Sequence, residues 1–136
     1  MFDRLGRHAA VALAALRIVS GLLFLAHGTQ KLFDFPPGAR VMPEFGSLLW
    51  VGGVLELALG ALIALGLFTR PAAFLAAGEM AVAYWMFHAP QNLYPVNNGG
   101  DPAILYCFIF LYLVFAGPGA LSLDHRRSGA GFSRRS

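Results

Sequence analysis

Four stretches of this chain, approximately 10–32, 47–68, 71–88 and 102–117, are long and apolar enough to enter a bilayer. A membrane helix needs about 20 mostly apolar residues. The expected class is therefore all-α: an integral membrane four-helix bundle forming one domain over residues 1–136. The ends of the segments carry ordinary helix punctuation: Pro36 and Pro37 after the first, Thr69-Arg70-Pro71 between the second and third, Pro90 through Asp101 before the fourth, and Gly117-Pro118-Gly119 after it. The connection between the second and third segments is so short that they should form an antiparallel hairpin.

The composition agrees, with 57% hydrophobic and 12% charged residues and a mean hydropathy of +0.63. An average soluble domain has about 25% charged residues. A net charge of +3 and a pI near 9.5 could suggest nucleic acid, but the basic residues gather at the termini beside apolar segments. Lipid headgroups account for that arrangement and nucleic acid is not needed. Arg4, Arg7, Arg70, Arg126, Arg127, Arg134 and Arg135 fall on one side, against Arg40 and the boundary residue Lys31 on the other. The excess of basic residues on the cytoplasmic side places both termini there. Trp50, Trp85 and Tyr94 then lie at the outer headgroup level. The first segment is too long for a cleavable signal, carries Arg17 in its middle and lacks an A-x-A-like site, so it reads as an uncleaved span. The single cysteine, Cys107, excludes an intrachain disulfide and a C-x-x-C pair, and reads as a packed small residue.

Ionisable residues inside such segments are functional candidates, because hydrocarbon rejects them unless they are partnered. At about 1.5 Å of rise per residue, Arg17 lies roughly 10 Å from the cytoplasmic edge, Glu79 about 12 Å, Glu56 about 18 Å, and His27 and His88 each about 25 Å. Helical phase puts Arg17, Ser20, Phe24, His27 and Lys31 in one sector of the first helix. Gly52, Glu56 and Gly60 repeat every fourth residue on the second, which sets Glu56 in a glycine groove open to a neighbouring backbone or a ligand. Glu79 and His88 are nine residues apart, half a turn, so a straight helix would not aim both at one cavity. Two placements suit Arg17: an ion pair with Glu79 or Glu56, which is the expectation, or snorkelling to the headgroups. With two buried glutamates and one deep cation, one glutamate should be protonated at neutral pH. The expected polar cluster comprises Arg17, Ser20, His27, Lys31, Glu56 and Glu79. No metal site is expected, since His27 and His88 have no third ligand at recognisable spacing.

The strings "RIVSGLLFLAHGTQKLF", "GGVLELALGALIALGLFTRPAA", "NGGD" and "GPGALSLD", in this order, resemble the DoxX family of small bacterial membrane proteins over roughly Leu13 to Asp124. The resemblance implies four transmembrane helices and an association with membrane redox chemistry. Some members resemble subunits of thiosulfate:quinone oxidoreductase, and others are tied to catechol and quinone resistance. The motif positions here are His27, Gly28, Lys31, Gly53, Glu56, Thr69, Arg70, Pro71, Gly117, Gly119, Ser122 and Asp124. Asp101 stands where the family often has glutamate, and the resemblance does not extend to Glu79.

Two functions follow as expectations. In the first, the chain is a membrane oxidoreductase subunit or quinone-stress protein that holds a quinone or similar small ring among helices one to three, with Glu56 or His27 handling protons. The chain shows no flavin, iron-sulfur or thiol machinery, so that role needs a partner redox subunit, or the quinone is bound without being reduced. In the second, it is a non-enzymatic scaffold, assembly factor or lipophile-binding protein. The glycine faces also suggest a homo-oligomer.

Overall fold

The computed structural model describes residues 2–38 and 42–133; Arg40, Arg134 and Arg135 lie outside the described residues. All regular structure in the described residues is helical. A 3-10 helix, Phe2–His8, leads into α1, Ala9–Phe33; α2 is Leu48–Leu65, α3 Thr69–Ala83, α4 Asp101–Ala116 and α5 Leu123–Ser133. The helix α3 continues without a break into a π-helical turn, Tyr84–His88, closed by the Ala89 N–H donating to Tyr84 O. By length and apolarity α1 (with the preceding turn) and α2 are able to cross a membrane, and α4 is a shorter apolar helix. The helices α1, α2 and α4 overlie the apolar stretches 10–32, 47–68 and 102–117, and α3 with its π turn overlies 71–88.

Close backbone approach determines how α1 and α2 pair. Gly21 lies against Gly60 and Ala64, and Gly28 against Gly53 and Leu57, so two glycines seven residues apart on each helix mesh in antiparallel register. A Cβ on Gly28 would stand 2.5 Å from Leu57 N, and one on Gly60 2.7 Å from Leu25 N. The glycine faces that suggested an oligomer are therefore largely used within the chain. On α3, Ala72, Ala73, Ala76 and Ala77 form a buried small-residue stripe, and α3 packs closely along α4. Phe24 of α1 closes the bundle against Tyr106 and Phe110 of α4, with ring centroids 5.6 and 4.9 Å away.

The outward faces are apolar. Val19, Leu22, Leu23, Phe74, Leu75, Phe108 and Phe115 are all more than half exposed. So many large apolar side chains left exposed mark contact with something other than water.

The end of the bundle that carries the termini is tied by three charged side chains, each bound to a helix end. Arg17 is completely buried, and its fork donates to Pro118 O from Nε, to Ile63 O and Ala64 O from Nη1, and to Ala120 O and Leu121 O from Nη2. Two of these carbonyls are at the C-terminus of α2, where Ile63 O also accepts from the Gly66 N–H and Ala64 O lies past the last intrahelical bond. Arg70 does the same for α4, donating to Val114 O and Phe115 O at 2.7 Å each. Asp124 accepts from the N–H groups of Phe68 and Thr69 at 2.9 Å, capping α3, whose own N-cap residue Phe68 offers no side-chain bond. Positive φ at Gly117, Gly119 and Leu121 turns the 117–121 loop so that its carbonyls reach Arg17.

Burial pushes the Asp124 carboxyl up, but the N–H groups of Thr69 and Phe68 and the nearby Arg127 more than offset this and hold it below its ordinary value. A depressed folded-state pKa means that the stabilisation is present above the unfolded value, about 3.9, and is lost as pH falls through the folded value. Asp124→Ala should cost about 1–2 kcal/mol, as for a lost helix cap. Thermal melting followed by circular dichroism should show that loss at pH 7, with the gap between wild type and variant closing below about pH 4.

Candidate functional site

Away from that tied end, a cavity of about 470 Å³ opens between α2 and α3. Most of its wall is apolar, from Leu48, Leu55, Leu75, Val82 and Phe87 among others. Four polar side chains share it: Lys31, Glu56, Glu79 and His88. Size and lining suit a small-molecule site, in which a few convergent polar groups orient an apolar body.

Each of the four is held differently. Glu56 is 3% exposed, at the middle of α2, and its Oε1 accepts from Lys31 Nζ at 2.7 Å. Lys31 reaches it from the last turn of α1, where Gly53 lets the lysine stem pass; a Cβ there would sit 3.0 Å from Lys31 Cβ. Glu79 comes from α3 on the opposite wall, its Oε1 3.4 Å from where a Gly52 Cβ would stand. The remaining oxygen of each glutamate, Glu56 Oε2 and Glu79 Oε2, is buried without a hydrogen-bond partner. His88 Nδ1 lies 3.0 Å from Asn98 O. A carbonyl can only accept, so Nδ1 carries a proton and Nε2 is the ring nitrogen left free to face the cavity's guest.

The expected cluster is divided by this geometry. Lys31, Glu56 and Glu79 come together; Arg17 and Ser20 do not join them. The expected Arg17–glutamate pair is absent, and so is snorkelling. Five backbone carbonyls solvate the guanidinium, and the carboxylate whose field reaches it is Asp124. Ser20 Oγ donates to Leu16 O within its own helix. His27 is exposed and lines a separate hollow with Gln30, Pro36 and Tyr106, its ring edge-on to Tyr106 at 6.0 Å. Sequence reasoning did not join His88 to Glu79 because it assumed a uniform helix. The π turn advances less per residue than an α turn, so part of the half-turn between them is removed and both line the cavity.

A sequence model of the DoxX family matches residues 12–89, more than half of the chain. The chain belongs to the DoxX family. An uncharacterized protein of Haemophilus influenzae is 41% identical over 133 residues, covering 91% of this chain and 96% of that protein. The inner membrane protein YphA of Escherichia coli is 31% identical, covering 85% and 90%. The uncharacterized membrane protein Rv3486 of Mycobacterium tuberculosis is 29% identical, covering 83% and 79%. No solved structure matches the chain. This is a membrane protein of the DoxX family, and its matched segment includes Lys31, Glu56, Glu79 and His88 but ends before Asp124.

Proposed function

We propose that this DoxX protein is a single unit that crosses a bacterial inner membrane four times, with both termini cytoplasmic, and binds a small lipophilic ring between α2 and α3. The observation that carries the reading is the pair of buried, unpartnered carboxylate oxygens, Glu56 Oε2 and Glu79 Oε2, in a mostly apolar cavity. Buried polar atoms are nearly always satisfied, and a ligand's polar head would satisfy these. Quinols and catechols bring hydroxyls that can donate to such oxygens, a quinone carbonyl can accept from the Glu79 carboxyl when that is protonated, and each carries its polar head on an apolar body. The chain then serves as a quinone-binding subunit beside a partner redox protein, or sequesters the ring without reducing it. Glu79 and His88 Nε2 are the groups suited to hold or take a proton at the ring oxygen. His27, on another face, leaves this role to them.

The alternative, a scaffold or assembly factor whose polar residues only fix the packing, is favoured by the three helix-end ties at the other end, which need no ligand. Gly78 separates the two readings. It lines the cavity, and a Cβ added to it meets nothing within 4 Å. Gly78→Leu should therefore fold normally, gain up to about 1 kcal/mol from helix propensity, and occlude the cavity. Equilibrium dialysis in detergent should show 1,4-naphthoquinone binding to the wild type and at least tenfold weaker binding to Gly78→Leu. Equal binding by both proteins would exclude the cavity as the site.

A further inference from the structure

The polar wall of the cavity has an unbalanced charge inventory. Lys31 and Glu56 offset one another at 2.7 Å, which leaves Glu79 as the carboxyl without a counter-ion. The charged groups facing it are Glu56 from α2 and Lys31 from α1, and His88 lines the same cavity from the π turn. The helix α4, packed along α3, carries a single Asp, Glu, Lys or Arg, Asp101, at its first position. With the cavity empty, an ionised Glu79 among apolar walls would be disfavoured, so the proton stays on it. A ligand that brings a permanent positive charge reverses that preference. Leu55, Leu75, Val82 and Phe87 line the same cavity and supply apolar wall for the ligand's arms.

From this arrangement we infer that the cavity takes a lipophilic cation, and that each cation bound displaces one proton from Glu79. The O–H bond of Glu79 breaks, the carboxylate keeps the electron pair and faces the cation, and the proton leaves to bulk water. No electron is transferred. Reversal, with a proton returning and the cation leaving, makes the site an exchanger of one charge for another. The unpartnered Glu56 Oε2, in a side chain 4% exposed, gives the cation a second negatively charged oxygen to lie against without disturbing the Lys31 pair on Oε1.

The inference rests on the proposed lipophile site, and the experiment separates the two. Purified protein in lightly buffered detergent is titrated with tetraphenylphosphonium while proton release is recorded, and with uncharged 1,4-naphthoquinone in parallel. Expected are one proton released per cation bound, affinity rising about tenfold per pH unit where Glu79 is protonated, and no release with naphthoquinone. Glu79→Gln, verified by its melting curve, should bind the cation at least tenfold more weakly and release nothing; Glu79→Asp should restore release. Naphthoquinone binding that Gly78→Leu blocks, with tetraphenylphosphonium not bound or bound without proton release, would overturn the cation inference and leave the lipophile site standing. Binding of neither probe would overturn both. Undiminished proton release from Glu79→Gln would overturn the role of Glu79.

Discussion

Arg17→Ala should be among the most damaging substitutions in this protein, costing about 3–5 kcal/mol, the range seen when one partner of a buried charged interaction is removed. The guanidinium uses all five N–H groups on five carbonyls, from the end of α2 and the loop after α4. Ile63 O keeps the Gly66 N–H, but the other four carbonyls gain no replacement donor when it goes, and an unsatisfied buried group costs about 1–3 kcal/mol. Against a total stability of about 5–15 kcal/mol, the variant should accumulate poorly and melt far below the wild type. Arg17→Lys keeps the charge but supplies three donors from one point in place of a five-donor fork. It should fall between the two. Ligand binding by whatever fraction of Arg17→Lys folds should be normal, since Arg17 does not line the cavity.

Gly28→Ala should be nearly as harmful from one added methyl group. Its Cβ would stand 2.5 Å from Leu57 N and 2.7 Å from Gly53 O, both backbone atoms that no rotamer change can move. The α1–α2 pair has to separate, and overpacking of this kind costs about 1–3 kcal/mol. Lys31 follows Gly28 by one turn of α1 and must reach Glu56 across the same seam. Gly28→Ala should therefore weaken ligand binding as well as stability. Gly78→Ala is the control: its Cβ meets nothing within 4 Å, and it should stabilise by about 0.5–1 kcal/mol. Melting curves of the two alanine variants should move in opposite directions.

Both effects show what hydropathy and helical phase could and could not reveal. The helices were legible because the apolar runs are long and Pro, Gly and the T-R-P string interrupt them. Glu56 was legible as an inward residue from its glycine flanks, although Gly53 and Gly60, rather than Gly52, face α1. The partner of Arg17 was not legible. Side-chain patterns reveal carboxylates, but backbone carbonyls at a helix end are present in every sequence and become acceptors only once Gly66 and the 117–121 loop have folded around the guanidinium. Asp124 was visible as part of a motif, but its task, capping a helix that begins 55 residues earlier, depends on tertiary contact. His88 was misjudged because a π turn leaves no signature in hydrophobic periodicity.

The result is a division of labour among the buried polar residues. Arg17, Arg70 and Asp124 hold helix ends, while Lys31, Glu56, Glu79 and His88 surround a cavity suited to a lipophilic guest. Native mass spectrometry of protein released from its own membrane in mild detergent tests that division most directly. A small lipophile should be bound to the wild type and absent from Gly78→Leu of at least equal thermal stability. A wild type without any guest, or the same guest retained at the same occupancy by Gly78→Leu, would contradict it.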